Sequence, residues 1–177
     1  MEEFTGTWCS WCPRGMVGIE MLDQTYGDDF IGIAIHRGND PMVLDAYNYL
    51  PDYGSFPGCM LNRSVNTDPY GSANDCTIFG QVEDCFKSRL CEADMEVIAS
   101  IDEEAEDAVQ VDVATTFHFS APYANEYAIA LVITADSLKP QDGTWYQSNI
   151  YSGNQEWADS PGMSWLVDER SYLLDIA

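Results

Sequence analysis

The chain has 177 residues and a formal net charge of −23, from 7 Lys+Arg against 30 Asp+Glu. This acidity argues against nucleic-acid binding and against docking on anionic lipid, because both need a basic surface. With 46% hydrophobic and 12% aromatic residues, the chain can still bury one sizeable core or two small ones, which argues against an acidic disordered tail.

The sequence contains no recognisable membrane or targeting segment. Its longest apolar run, Tyr127–Ala135, is far shorter than the roughly 20 residues of a membrane-spanning helix. No charged-then-apolar signal follows Met1, so an exported form would need a leader outside this sequence. We expect both ends to be cut, since Met1–Phe4 already lies in a predicted strand and residues 172–177 contain no capping or turn residue.

The first half predicts alternating strands and helices. After the strand at the N-terminus, apolar residues at three-residue spacing predict a helix over Gly15–Leu22. The apolar, β-branched run Phe30–Ile35 predicts a buried strand of the parallel type. Further helices are predicted over Met42–Tyr49 and Thr77–Leu90. This alternation is typical of a small α/β sandwich, a mixed sheet flanked by helices.

The second half has the period of β-strands. Alternation of apolar and polar residues predicts antiparallel strands over Met95–Ile101, Val109–Phe119 and Glu126–Thr134. In the middle strand, the apolar residues and one Thr share one face, as expected for a sheet with one buried side. We expect a partial, all-β, sandwich-like domain that is incomplete at its C-terminus.

The cysteines mark a boundary between the two halves. All six precede residue 93, and they are Cys9, Cys12, Cys59, Cys76, Cys85 and Cys91. The acidity is shared, with 5 − 14 = −9 over residues 1–93 and 2 − 16 = −14 over residues 94–177. The cysteine asymmetry and the change of period predict an α/β domain over residues 1–93, with a truncated first strand, and a β domain over residues 94–177.

The strongest chemical signal is the segment Trp8-Cys9-Ser10-Trp11-Cys12-Pro13. It follows a predicted strand and precedes a predicted helix, and Pro13 is tolerated in a first helical turn. There the first sulfur lies near unpaired N–H groups and the positive end of the helix dipole, which favour a thiolate. The second cysteine lies one turn further and can attack a mixed disulfide.

Residues Glu3–Cys12 resemble the active-site segment of thioredoxins, and Ser55–Gly58 resembles their cis-proline loop. The resemblance implies a thioredoxin-like sandwich in which Cys9 is the nucleophile and Cys12 resolves the mixed disulfide. It also places Glu3 where thioredoxins carry a buried acid, usually Asp, that accepts the proton of the resolving thiol. A buried carboxylate would have a raised pKa and could act as that base. The residues expected to contact substrate are Trp8, Trp11, Phe56 and Pro57; local packing is an equally good role for Trp11.

A narrower resemblance covers both halves. The phrases Glu2–Cys9, Cys12–Met16 and Trp145–Gly153 resemble a Bacteroidetes family of exported, lipid-anchored thioredoxin-like proteins, grouped with the twenty-eight-kilodalton outer membrane protein. In that family a thioredoxin-like domain precedes a β-rich domain. The resemblance implies an extracytoplasmic location, in the periplasm, the outer membrane or at the cell surface.

The cysteines and histidines could also bind zinc, form further disulfides or have no chemical role. A zinc site is disfavoured because no second close cysteine pair or Cys/His pair exists, and no metal is predicted. The four remaining cysteines permit two disulfides in three pairings, although Cys85 and Cys91 lie about 9 Å apart along a helix, too far to bond. Cys85 is equally compatible with a free buried thiol. His36 and His118 are expected to face solvent.

The sequence therefore predicts an exported thiol-disulfide oxidoreductase or isomerase, with thiol- or disulfide-containing proteins as clients and no cofactor. The alternative is a cell-surface binding or adhesion lipoprotein, in which the thioredoxin-like part is only a scaffold. A Cys9 sulfur exposed beside Pro57 would favour disulfide exchange. A Cys9 sulfur buried under the second domain would favour binding.

Overall fold

The computed structural model describes residues 1–45, 54–71, 75–88, 93–101, 109–117, 130–135, 138 and 142–173. The chain divides into two compact units, Met1–Lys87 with Ile133–Ala177, and Ser88–Val132. This grouping differs from the expected boundary at Ala93–Asp94, because the last part of the chain packs with the first part. The β-sandwich-like fold expected for residues 94–177 stays a prediction.

The first unit is built on a mixed four-stranded sheet. Its strands are β1 (Glu2–Thr5), β2 (Ile33–His36), β3 (Gly58–Leu61) and β4 (Val65–Thr67), in the order β2-β1-β3-β4. β1 and β2 are parallel and connected through helix α1 (Pro13–Tyr26), whereas β3 is antiparallel to both of its neighbours. The α/β class and the parallel strand pair are thus confirmed. Because Phe4 is paired with Gly58, the last residues of β1 and the first residues of β3 lie at the same end of the sheet.

Helix α1 begins directly after the cysteine pair. Cys12 is its N-cap residue, and Pro13 lies in the first turn, where its missing N–H costs no hydrogen bond. Val17 and Leu22 are fully buried in the core of the unit. The helix ends before Gly27, which has a positive φ of 50°. The predicted helix is therefore present and is longer at both ends than its apolar residues indicate.

Helix α2 (Ile78–Ser88) lies within the range that the sequence predicts. Its buried side chains, Ile78, Val82 and Cys85, recur at intervals of three and four residues, so they share one helix face. They join the same core as α1 and β3.

Three predicted elements differ from the structure or fall outside it. The strand predicted over Phe30–Ile35 begins only at Ile33, because its partner β1 begins at Glu2. Of the helix predicted over Met42–Tyr49, residues 46–49 lie outside the described residues and residues 42–45 are not in an α-helix. Of the strand predicted over Glu126–Thr134, residues 126–129 lie outside the described residues and residues 130–134 are not in a strand.

The second unit contains an antiparallel ribbon of β5 (Ala93–Ile101) and β6 (Val109–Phe117). Val97 is paired with Val113 near its middle. Along β6, Val111 and Val113 are half-buried, whereas the residues on either side of Val113 are exposed. The first two strands predicted for the second half are therefore present. The expected alternation of burial is found along β6, whereas Met95, Val97 and Ile98 of β5 are all exposed.

The end of the chain completes the core of the first unit. It folds into β7 (Gln147–Ser148), helix α3 (Ser164–Asp168) and β8 (Tyr172–Leu173), and β7 is paired with β8. Its buried core side chains are Tyr151, Trp157, Met163, Leu166, Val167 and Leu173. The fold of the first unit thus depends on residues from both ends of the chain.

Gly18 allows α1 to pack closely against the backbone at Pro69. A Cβ at this position would collide with the backbone carbonyl of Pro69, which cannot rotate away as a side chain can. We expect Gly18→Ala to lower the free energy of unfolding by about 1–3 kcal/mol, as overpacking does. Urea unfolding followed by circular dichroism measures this change.

Gly80→Ala is the matched control, because Gly80 lies in α2 and a Cβ there would meet open space. This substitution should raise the free energy of unfolding by about 1 kcal/mol, the helix-propensity difference between the two residues. Equal effects of the two substitutions would contradict the packing described for α1.

Candidate active site

Cys9 and Cys12 form a disulfide at the N-terminus of α1, with their Cα atoms 5.4 Å apart. The pair that the sequence singles out is therefore joined in the fold. The two cysteines differ in access: Cys9 is 6% exposed and Cys12 is 0% exposed. Only Cys9 presents any surface to an incoming thiolate, so it is the cysteine that attack can reach first.

Glu3 lies beneath the first turn of α1. Its side chain is 1% exposed, and its Oε1 has no hydrogen-bond partner among the described residues. Burial, with a smaller contribution from the negative charge of Asp68, raises the pKa of Glu3 to about 8. Gly15 leaves the space for this carboxyl group, since a Cβ there would overlap Glu3 Oε1. The site thus contains a buried acid that changes protonation state close to neutral pH.

Phe56 and Pro57 lie at the end of the sheet where β1 leads into residues 6–12, here named the cysteine loop. The Phe56–Pro57 peptide bond is cis, as the thioredoxin resemblance implies, and Pro57 directly precedes β3. The Phe56 ring contacts Trp8 edge-on, with 5.1 Å between ring centroids. Trp8 Nε1 donates to Arg37 O at 3.0 Å, and 48% of the Trp8 residue is exposed. The structure therefore brings three of the four predicted substrate-contacting residues together.

The Trp11 ring packs against a residue from the C-terminal part of the chain. Its ring contacts Tyr151 edge-on at a centroid distance of 5.8 Å, and the Arg14 guanidinium lies 5.7 Å from its centroid. Trp11 is nevertheless 44% exposed. It has a local packing role and also leaves surface for a partner.

The cysteine loop is held by residues Gln147–Tyr151, here named the covering segment. Four donors of this segment bind four carbonyl oxygens of the loop. The bonds are Gln147 Nε2 to Cys9 O (2.8 Å), Ser148 N to Thr7 O (2.8 Å), Ile150 N to Ser10 O (3.1 Å) and Tyr151 Oη to Trp11 O (3.1 Å). Such buried carbonyls need partners, and here the partners come from the opposite end of the chain.

Asp40 holds the start of the same loop through Thr7. No motif or spacing in the sequence predicts this role for Asp40. It accepts hydrogen bonds from Thr7 N at 2.5 Å and from Met42 N at 2.7 Å, and His36 Nδ1 lies 3.1 Å from it. Burial favours a higher pKa for Asp40, but these bonds, with His36 the largest contribution, outweigh it and lower the pKa. The expectation that His36 faces solvent is wrong, because its side chain is 14% exposed beside Asp40.

The remaining cysteines are not part of the disulfide, although Cys59 is the cross-strand partner of Glu3. Cys59 and Cys76 are buried thiols without a disulfide. Burial raises the pKa of Cys76 to about 11, and burial together with Glu3 and Asp68 raises the pKa of Cys59 further. Both are therefore poor nucleophiles at neutral pH. Cys85 is buried on α2, whereas Cys91 and His118 lie outside the described residues.

The part of the chain that the structure describes shows neither a metal-holding cluster nor a membrane-spanning helix. There, no group of three or more His, Cys, Asp or Glu side chains could hold a metal ion. None of the helices described is long and apolar enough to span a membrane.

No match was found for this chain among protein-family models, curated proteins or solved structures. The functional assignment therefore rests on the geometry of the site.

Glu3 makes the stability of the protein depend on pH. Its pKa rises from 4.5 to about 8 on folding, so folding takes up a proton between these values. The contribution of Glu3 to stability is therefore fully present below pH 4.5 and is lost as the pH rises toward 8, by at most about 1.4 kcal/mol per pH unit. We expect Glu3→Gln to remove this slope, measured by urea unfolding across the interval.

Glu20→Gln is the control for the loss of one carboxylate, because Glu20 is exposed on α1, whereas Glu3 is buried in β1. If Glu3→Gln and Glu20→Gln keep the same slope as the unmodified chain, Glu3 does not take up a proton on folding, and its assignment as a buried acid is wrong.

Proposed function

We propose that this protein is a thioredoxin-like thiol-disulfide oxidoreductase that exchanges disulfides with client proteins through Cys9 and Cys12. The observation that carries the proposal is the disulfide itself, at the N-terminus of a helix, with 6% of the Cys9 residue exposed and none of the Cys12 residue exposed. A purely structural crosslink needs no such difference in access. Exchange needs it, because one sulfur must be attacked while the other leaves.

The exchange requires no cofactor. A client thiolate attacks Cys9 Sγ, the bond between the two cysteines breaks, and Cys12 leaves as a thiolate. A second client thiolate then attacks the client sulfur of this mixed disulfide, and Cys9 leaves as a thiolate. The client loses two electrons and two protons and gains a disulfide, and the two protons end on Cys9 and Cys12. The same steps in reverse reduce a client disulfide.

In this proposal Glu3 holds the proton that Cys12 gains or loses. A carboxyl group with a pKa of about 8 is partly protonated at neutral pH, so it can both give and take a proton. Its lack of another hydrogen-bond partner and its place under the first turn of α1 support this role. The helix N-terminus stabilises the departing Cys12 thiolate.

Four residues are proposed to contact the client: Trp8, Trp11, Phe56 and Pro57. The exposed parts of both tryptophans offer apolar surface beside Cys9, and the Phe56–Pro57 loop lies at the same end of the sheet. Aromatic residues of this kind dominate the energetics of protein interfaces.

The location proposed is outside the cytoplasm, as in the exported Bacteroidetes family that the sequence resembles. The oxidised cysteine pair supports this, because disulfides persist in oxidising compartments.

A second candidate is a binding protein on a thioredoxin-like scaffold. Two observations favour it: Cys9 is only 6% exposed, and Gln147 holds its carbonyl oxygen from the covering segment. In this case the disulfide would only anchor the loop, and the exposed aromatic residues would bind a ligand without any exchange.

Trapping a mixed disulfide distinguishes the two candidates. In reduced Cys12→Ser protein, Cys9 should displace one sulfur of a peptide that carries an intramolecular disulfide. Alkylation of the peptide thiol released in this step should then preserve the adduct, because Cys12 is no longer present to resolve it. Intact-mass spectrometry measures it. Cys9→Ser should form no adduct, and Cys76→Ser should still exchange, since Cys76 is buried away from the site.

The binding candidate predicts a different result. All three variants would then fold, as circular dichroism reports, yet none would form an adduct with the peptide. That outcome would overturn the oxidoreductase proposal.

A further inference from the structure

A groove of about 580 Å³ begins beside the cysteine loop. Its walls carry three aromatic rings, from Trp8, Tyr146 and Tyr172, and its other lining residues are small or polar. None of the described residues that line it is charged, although the chain as a whole carries a net charge of −23. The groove is therefore an uncharged, aromatic site on an acidic protein.

The groove adjoins the disulfide through the chain itself. Thr7 and Trp8 line it and directly precede Cys9. Ser148 also lines it and donates its backbone N–H to Thr7 O at 2.8 Å, which fixes the covering segment to this wall. The groove wall at Trp8 is therefore one residue along the chain from Cys9.

The aromatic walls are preformed. The Trp8 ring is held by its bond to Arg37 O and by its contact with Phe56. Tyr146 directly precedes β7 and Tyr172 lies in β8, and they are 37% and 58% exposed. Rigid aromatic side chains with exposed faces bind other apolar or aromatic groups with little loss of conformational freedom.

We propose that this groove binds the polypeptide segment next to the reactive cysteine of a client, with an aromatic side chain of that segment between Tyr146 and Tyr172. This rests on the proposed exchange function, and it adds the substrate class. The adjacency to Cys9 favours a polypeptide, because a bound sugar would gain nothing from a neighbouring disulfide. The net charge of −23 further selects clients that are not acidic, since long-range repulsion slows the approach of anions.

The experiment measures rates with reduced Cys12→Ser protein. Its Cys9 thiolate attacks the peptide sulfur of a peptide disulfide-bonded to 5-thio-2-nitrobenzoate, forms a peptide mixed disulfide and releases coloured thionitrobenzoate. Neutral peptides with Phe or Gly beside their single cysteine are compared. The same leaving group on 2-mercaptoethanol is the small probe, which does not reach the groove.

The Phe peptide should react about tenfold faster than the Gly peptide, the effect of one well-packed aromatic contact. Tyr146→Ala and Tyr172→Ala should each remove most of this advantage and leave the small-probe rate unchanged. Trp165→Ala is the matched control, because Trp165 is 39% exposed on α3 and does not line the groove. Replacing neighbouring Gly residues of the peptide with Glu should slow the reaction, and added salt should reverse this.

Two results would overturn the groove assignment. One is equal rates for the Phe and Gly peptides while the small probe reacts normally. The other is binding of neutral oligosaccharides that Tyr146→Ala abolishes, without any Phe advantage. Failure of the small probe to react is a separate outcome, because it contradicts the exchange chemistry of Cys9 and so overturns the proposed function with it.

Discussion

The hydrogen bonds from the covering segment to the cysteine loop are the constraint on which the site depends. Gln147 binds the carbonyl of Cys9 across 138 residues of sequence, and three neighbouring donors bind three more carbonyls of the loop. Cys9 O also accepts from Cys12 N within the loop, at 3.2 Å, whereas the bonds to Thr7 O, Ser10 O and Trp11 O come from the covering segment. An unpaired buried carbonyl costs about 1–3 kcal/mol. The position of the disulfide is therefore set by the far end of the chain.

The same contacts explain why the first unit includes the C-terminus. Tyr151 lies in the core, contacts Trp157 with 5.0 Å between ring centroids, and binds the carbonyl of Trp11 through its hydroxyl group. Polar fixation of the loop and apolar burial of the tail thus come from one stretch of residues. The loop is held on its other side by Asp40, so the disulfide lies between two fixed points.

Local signals predicted the elements that lie close together in sequence. The cysteine pair, Pro13 in the first turn and the helices α1 and α2 follow from spacing and capping rules. The cis bond before Pro57 and the buried position of Glu3 followed from the thioredoxin resemblance. These features depend on residues within a few turns of each other, or on one family motif.

Long-range packing is what the sequence did not reveal. β7 and β8 have two residues each, too few to show an alternation of apolar and polar residues. Tyr146 and Tyr172 line the same groove because these two strands pair. Asp40 likewise binds Thr7 across 33 residues. The expected boundary at residues 93–94 relied on the cysteine distribution, which carries no information on where the last residues pack.

The central claim is that Cys9 and Cys12 are a redox couple. A titration of the full chain with reduced and oxidised glutathione, followed by alkylation of native thiols and peptide mass spectrometry, tests it most directly. The account predicts that Cys9 and Cys12 become alkylated together in one reversible two-electron transition, while Cys59 and Cys76 stay protected. A pair that stays oxidised at every ratio, in protein that remains folded, would contradict it.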